Sequence, residues 1–600
     1  MGIRGLRPAL RQYGTPDSLS GETAVIDGPA LVYRIIDGCI FQRQPADSFV
    51  CHPSYSTLGR LVIGWLDKLR EHDVNMRKIY FDGYLPTSKW EVRLQRLLAQ
   101  SKQMKGLVDS YPGGSSKTPQ NVFLDVKPDF SLTQVHYEFK APPKPPFLIP
   151  AVLEILRADD VWGPLVEVVP GEADMYCAQD VRLNGGIVLT SDSDLLITDV
   201  GLDGKVSFFD DITVTGQLPA PLTLTTDSFS LRVMNDHFDL NAVGGLPRVA
   251  FETQKSDIRF PEALAHVKTV ELSGPQQSEF QTFLEEYTFR ERLPKDHVAR
   301  DILSDLDARI SEFVVHSLLT DSSVDGIDDF RGPDSMAMFL PIMIENRARK
   351  SVWSMSTEMR RLAYGITQRF SHHKSPTVVE YRLLDASNPR EGRRVDVPKS
   401  KEVLEQCRQL VDTFRQIREQ VPDAEVHWLA FAIYEDILWS TTEQRIPLSV
   451  LLANVAGGSP IKGRYPWDMI HFASQVQASF YSLRMAKQFL HVAAHLCDTL
   501  PASMRELRDW LDPLPPIAEW PDIDDIARVL ATAQDSGLIT TVVEILGCPP
   551  IELPRNSLPG AKSKKRSKRK SSPNLPSAQA VDNKRPTPAY NRFAALDSLN

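Results

Sequence analysis

The tightest constraint on how this chain can fold is a recurring pattern, short apolar runs that end in an acid. AVID (24–27) and KIYFD (78–82) each read as a buried strand carrying an aspartate, Asp27 or Asp82, at its carboxyl end. Between them Leu58, Leu61, Val62, Trp65, Leu66 and Leu69 recur at helical spacing, which makes a β-α-β unit and therefore a parallel sheet. LVEVV (165–169) reads as another strand, GEADMYCAQDVRLN (171–184) as a helix closed by Gly185-Gly186, and IVLT (187–190) as a strand running into SDSD. Ligands of open parallel sheets sit at the carboxyl edge of the strands. One cleft can therefore collect Asp27, Asp82, Glu172, Asp174, Asp192 and Asp194.

Taken singly, each acid has an ordinary explanation: Glu172 and Asp174 suit a helix N-terminus, and Asp192 and Asp194 suit a turn. Four acidic segments at the same edge of one predicted sheet are harder to reach by chance. Hard cations such as Mg²⁺ need oxygen ligands, and a pair of them roughly 4 Å apart can bind a phosphate, generate hydroxide and stabilise a leaving oxygen. Lys89, Arg93 and Arg96, at i, i+4 and i+7 after the second acidic strand, share one helix face and would point cations at such a phosphate.

With these residues in place, the chain resembles the flap-endonuclease/XPG nuclease family. MGIRGL looks like that family's opening, VIDGPALVY (25–33) its first acidic strand, IYFDGYLP (79–86) its second, VVPGEADMYCA (168–178) its internal helix and TSDSDLL (190–196) its last acidic pair. The resemblance implies a PIN-like α/β fold, a parallel sheet flanked by helices. It implies two Mg²⁺ ions, with Mn²⁺ able to substitute: Asp27, Asp82, Glu172 and Asp174 around one, Asp192 and Asp194 biased toward the second. It implies that Tyr33 stacks on a base and that Lys89 and Arg96 act on the scissile phosphate; Arg93, on the same helix face by spacing, reads as a further nucleic-acid contact. A narrower resemblance, to the asteroid-type subfamily, rests on MFLPIMIENRARKSVWSMSTEMRRLAYGI (338–366) followed by TVVEYR (377–382). Read as chemistry alone, those residues give a packed helix and a strand, with Trp353 and Tyr364 as core.

Beyond residue 220 the pattern changes to long amphipathic segments, 276–290, 297–319, 401–421 and 523–546, with few strands. The expected division is a nuclease domain over 1–215, a mainly helical region over 216–550 and a disordered basic tail over 551–600. Two departures from the family pattern stand out. LPRVAFETQKSD (246–257) replaces the segment that carries a further acid and a glycine-bearing helix-hairpin-helix, leaving Asp257 as the candidate acid. The insert at about 101–149 contains helix-breaking PGGSS and APPKPPF, and its lysines 102, 105, 117, 127, 140 and 144 suit a basic loop over the cleft.

The tail holds eleven Lys/Arg against three Asp/Glu, net +8, so residues 1–550 carry −17 of the chain's −9. An acidic body argues against a broad duplex-binding surface. Lys564, Lys565, Arg566, Lys568, Arg569 and Lys570 form either a nuclear-localisation signal or a sequence-independent nucleic-acid tether. The expected location is nuclear, with the cytoplasm as the alternative. In AYNRFAALDSLN (589–600), Phe593, Leu596 and Leu599 behind an Asn591 cap suggest a helix that docks on a protein partner. Six scattered cysteines without a CxxC pair indicate neither zinc nor a disulfide framework, and no membrane span or signal peptide is expected. The function expected is a metal-dependent, structure-selective endonuclease for flap or junction DNA, serving DNA repair, with RNA as an alternative substrate. The competing expectation is a catalytically weak PIN-like scaffold that binds RNA or protein in post-transcriptional regulation.

Overall fold

The computed structural model describes residues 3–551, apart from residues 4, 292, 373 and 550 and segments 44–48, 50–51, 87–88, 118–119, 135–142, 217–221, 320–334, 383–391 and 457–462. The basic block 562–570 and the segment 589–600 lie outside the described residues. Among the described residues no helix is long and apolar enough to cross a membrane.

The acid-ended runs form the middle of one sheet. Its strands are β1 (Thr15–Ser18), β2 (Thr23–Asp27), β3 (Asn75–Asp82), β4 (Val166–Val169), β5 (Gly186–Thr190), β6 (Gly204–Phe208), β7 (Thr213–Thr215) and β8 (Thr223–Phe229). They lie in the order β1-β8-β6-β5-β2-β3-β4, with β7 paired to β8. The five strands from β6 to β4 are parallel, and β8 runs antiparallel to β6, β1 and β7. Helices on the faces complete the α/β class expected: α1 (Gly28–Gln42), α2 (Tyr55–Glu71) and, beyond α3 (Trp90–Ser110), which packs instead against Phe339 and Tyr381, α4 (Ala173–Asn184). In α2 the six apolar residues at helical spacing are all fully buried, and Ser54 caps the helix by accepting from the Thr57 amide at 3.2 Å. Gly28 is required where α1 leaves the sheet, because a β-carbon there would meet the Phe81 ring at 2.6 Å.

Two expectations change. The sheet does not stop at 215: β8 joins it, and its Thr-rich sequence hid a strand whose Leu224, Thr226 and Ser228 alternate inward. Nor is the insert simply a basic cover. Phe123, Val126, Phe130 and Leu132 sink into the domain core, where the Leu132 carbonyl packs against Gly38. Lys117 pairs with Asp524 at 2.8 Å and Lys144 with Asp37, whereas Lys102, Lys105 and Lys127 are exposed and Lys140 lies outside the described residues.

The region after the sheet is mainly helical. Segment 276–290 gives α5 (Gly274–Glu286), while 297–319 breaks at Ser304–Asp307 into Ala299–Leu303 and α6 (Ala308–Leu318), which Asp307 caps. The 523–546 segment breaks at Gly537, held at φ 73°. Helix α7 (Thr357–Thr367) lies against the 30-residue α8 (Trp467–Leu496), beside a small sheet of Ser335–Phe339, Thr377–Tyr381 and Arg393–Asp396. Trp353 and Tyr364 are core, as expected, at 2% and 0% exposure.

Between α7 and the small sheet lies an ion pair with no solvent access. Arg360 donates to both oxygens of Glu380, at 2.6 and 3.0 Å, and to the carbonyls of Trp353 and Ser356, while the Tyr364 hydroxyl donates to Glu380 at 3.0 Å. Removing one partner strands a buried charge. Arg360→Ala should destabilise the protein by about 3–5 kcal/mol, read as a lowered midpoint of chemical denaturation. The double change Arg360→Met, Glu380→Leu should recover most of that loss.

Candidate active site

Strands β5, β2, β3 and β4 are neighbours, and their carboxyl ends bring all six predicted acids to one edge of the sheet. Five of the six acids are anchored locally by hydrogen bonds, while the Glu172 carboxylate meets only Lys89 among the described residues. Asp27, 6% exposed, caps α1 by accepting from the Ala30 amide (3.2 Å) and also accepts from the Thr190 hydroxyl at the end of β5 (2.8 Å). Asp82 accepts from the Ala173 amide at the start of α4 (2.7 Å), which ties β3 to the loop after β4. Asp192 accepts from the Asp194 amide (3.1 Å), Asp194 from the Ile3 amide (2.8 Å), and Asp174 from the adjacent Met175 amide (2.7 Å). Asp82, Asp174, Asp192 and Asp194 thus each commit one carboxylate oxygen and leave the other without a hydrogen bond among the described residues.

The next acid along the same edge shows the contrast. Asp210, just after β6, is gripped by Arg7 at 2.6 Å and Arg34 at 3.0 Å, and these cations overcome burial and hold its carboxyl below the usual range. For Asp27, Asp82, Glu172, Asp174 and Asp194 the balance is reversed. Burial pushes Asp27 up to about 7, opposed by the Thr190 hydrogen bond and reinforced by the charge of Asp82. Burial pushes Glu172 up to about 7 against the pull of Lys89, and Asp194 up to about 6 with Asp192 adding to it. Asp174 is raised well above its ordinary value by burial and then by Glu172, Asp192, Asp27 and Asp82. Burial raises Asp82 too. The acids act on one another as a single cluster.

Donor chemistry here suits a hard divalent cation, which takes oxygen ligands and keeps part of its water shell. As placed, the acids share a cleft without closing on a common point: among the described residues no three of them form a ready cage for one ion.

The predicted cations divide. Lys89 stands 3.7 Å from Glu172, and Glu172, Asp174, Asp194 and Glu286 together outweigh its burial and raise its ammonium. Arg96, one turn beyond Arg93, is exposed and has no ion-pair partner among the described residues. Arg93 corrects the sequence reading. Its guanidinium is bound to Glu312 of α6, with one N–O contact at 3.1 Å, and lies 3.8 Å over the Phe339 ring, so it fastens α3 to the helical region and is not offered to the cleft. Tyr33 is half-buried and within electrostatic reach of Asp82 and Arg96. Asp257 is exposed in the left-handed region at the end of helix Gly245–Ser256 and makes no contact with the cluster among the described residues.

Comparison with known families falls on this architecture. Residues 144–391 match the model of a family described as XPG domain containing. No curated protein matches the chain. The XPG match supports a nuclease-like domain; it takes in Glu172, Asp174, Asp192 and Asp194 and runs on through α5, α6 and α7, while Asp27 and Asp82 precede it. Within the XPG match lie residues that sequence spacing did not single out. Tyr287, half-buried at the end of α5, has the Lys89 ammonium 5.7 Å from its ring centre, and burial together with Asp194, Glu286, Asp192 and Glu172 raises its phenol. Where the XPG-type hairpin motif is missing, helices Leu231–His237 and Gly245–Ser256 are still joined by a turn with Gly244 and Gly245 at φ 97° and 72°. That turn consumes its own donors: the Gly245 amide bonds Leu240 and the Leu246 amide bonds Asn235.

Because Asp27, Glu172 and Asp194 have folded-state values above their unfolded ones, the folded protein holds extra protons between about pH 4 and 7. Stability of the metal-free protein should therefore be greatest below about pH 4 as far as these groups are concerned, and fall as pH rises through 6 to 7. Asp174→Asn removes one repelling charge, and should raise the thermal midpoint at pH 7.5 and flatten its decline between pH 5.5 and 7.5, measured in EDTA.

Proposed function

We propose that this chain is a Mg²⁺-dependent phosphodiester hydrolase acting on structured DNA of the flap or junction kind. The observation that carries the reading is the cluster of six acids on adjacent parallel strand ends, none in an arginine ion pair among the described residues, set against the arginine-paired Asp210 on the same edge. Asp27, Asp82, Glu172 and Asp174 would hold one Mg²⁺, and Asp192 and Asp194 a second, with Mn²⁺ able to replace either. Bound there, the ions would supply Lewis acidity and a water of lowered pKa. Lys89, held beside Glu172, meets negative charge on the phosphate, Arg96 meets it from one side, and Tyr33 orients a base. We further place the chain with the asteroid-type subfamily on residues 338–366, and a role in DNA repair within the nucleus accords with the basic tail.

Asp174→Ala and Asp192→Ala should each lower cleavage about 100-fold or more, and Lys89→Ala about 10²–10³-fold, on labelled flap, fork, bubble and RNA substrates. Wild-type protein inert on the whole panel with Mg²⁺ and with Mn²⁺ would sink the proposal.

A second reading, a PIN-like scaffold that binds RNA or protein without catalysis, draws on the absence of a ready three-acid cage among the described residues. Calorimetry separates the two. A hydrolase should bind Mn²⁺ in a manner lost in Asp27→Ala, whereas a scaffold should show no acid-dependent heat.

A further inference from the structure

The chain leaving α5 is fastened across the start of α4. Phe289 meets the Tyr176 ring edge-on at 5.0 Å, and the Tyr176 hydroxyl donates at 2.8 Å to Glu291, which Arg300 also holds. Tyr176 is itself fixed one turn after Glu172. Its amide donates to the Glu172 carbonyl at 3.3 Å, and a β-carbon at Gly171 would lie 2.8 Å from its ring. On the other side, Tyr287 packs on the buried Phe283 of α5, with ring centres 4.9 Å apart. Two residues from Phe289 and seated on Phe283, Tyr287 has its place beside the cleft set from both directions.

That ring faces Lys89. The ammonium lies 5.7 Å from the ring centre and 3.7 Å from the Glu172 carboxylate, and among the described residues it has no other side-chain partner. The two contacts differ in kind. A carboxylate that ligates a cation loses most of its pull on a neighbouring ammonium. The negative face of a tyrosine ring is a fixed quadrupole, which binding at the acids leaves unchanged.

We propose that Tyr287 is a positioning residue, whose ring keeps the Lys89 ammonium at the cleft when Glu172 is occupied. Segment 287–291 then serves the site through Lys89 and not by touching the phosphate. This rests on the hydrolase reading for the task given to Lys89, but the placement of the ammonium is testable without cleavage.

The test converts the lysines of the full chain to ¹³C-dimethyl-lysine, which keeps their charge, and assigns the Lys89 signal by its loss in Lys89→Arg. A ring face shifts the methyl protons upfield. That shift should be present in wild type in EDTA, persist in Glu172→Gln, which removes the carboxylate charge, and survive Tyr287→Phe. It should vanish in Tyr287→Leu, or in Tyr287→Met where leucine does not fold. A Lys89 signal unmoved by Tyr287→Leu, or one that loses its shift in Glu172→Gln, overturns the proposal. On a labelled flap substrate with Mg²⁺, Tyr287→Leu should lower kcat about fivefold, the scale of a partly exposed cation–π contact. Tyr287→Phe should restore it, and a Lys89→Ala background should show no further loss. An equal loss in that background marks a packing role and also overturns the proposal. If wild type cleaves nothing while the Lys89 signal behaves as expected, the hydrolase falls and the placement stands. If wild type cleaves while Tyr287→Leu leaves the signal in place, the reverse holds.

Discussion

Carboxylates on neighbouring parallel strands cannot all be charged without cost. Strands lie about 4.8 Å apart, and two unit charges at roughly 5 Å repel by about 3 kcal/mol at an effective dielectric of 20. Here four adjacent strand ends carry six such groups, and Lys89 is the one cation within 4 Å of any of them among the described residues. The fold tolerates this because the anchors are directed hydrogen bonds, two at Asp27 and one each at Asp82, Asp174, Asp192 and Asp194. Thr190 holds Asp27, Ala173 holds Asp82 and Ile3 holds Asp194, which fixes positions without cancelling charge. At Asp210 the opposite choice is made: arginines neutralise the acid, which contributes to stability and is unavailable for chemistry. An edge built like Asp210 throughout would be more stable and chemically inert.

That concentration of charge makes the rest of the chain responsible for rigidity. The core under α1 and α2 is apolar and buried, and the helical region is stiffened by the sealed Arg360–Glu380 pair. Arg93, clasped by Glu312 and stacked on Phe339, joins the two parts at the cleft. Trp90, Leu94 and Leu97 on the same helix pack with Phe339 and Tyr381, so α3 is held by apolar contact as well as by charge. The position of Lys89 at the head of α3, and with it the electrostatics of Glu172, is consequently set by residues beyond 300.

Much of this was legible in the sequence. Strand ends and acids coincide at Asp27, Asp82 and Thr190-Ser191-Asp192 because buried parallel strands leave short continuous apolar runs, which their length and flanking residues, not periodicity, tell from helices. Strand β8 was not, since Thr and Ser carry the inward positions where apolar residues are normally sought. Helical spacing would put Lys89, Arg93 and Arg96 on one face, but Lys89 is the cap residue just before α3 and a helix face is broad. Which of its residues meets the cleft and which meets a neighbour depends on α6, more than two hundred residues away. Tyr287 and Glu312 were invisible for the same reason. No local pattern records that α5 and α6 return to the sheet edge.

The distribution of donors also bears on what the cleft can hold. A hairpin that grips duplex backbone needs unsatisfied amides at its turn, and here the Gly245 and Leu246 amides are spent on Leu240 and Asn235. Residues 1–550 carry −17, and among the described residues the side-chain cations that act on the acids are Lys89, Arg93 and Arg96, of which Arg93 is already held by Glu312. Non-specific duplex affinity scales with the number of phosphates neutralised, so these few cations on an acidic body give a shallow, local grip. On the proposed nucleic-acid reading, recognition would then come from a short stretch of strand whose bases can reach Tyr33, since stacking on an aromatic ring adds about 1–3 kcal/mol per base without help from salt-dependent contacts. A stacked duplex hides those faces and an unpaired or frayed segment presents them. The same scarcity of cations that weakens general affinity is therefore what would direct this cleft toward interruptions in a helix.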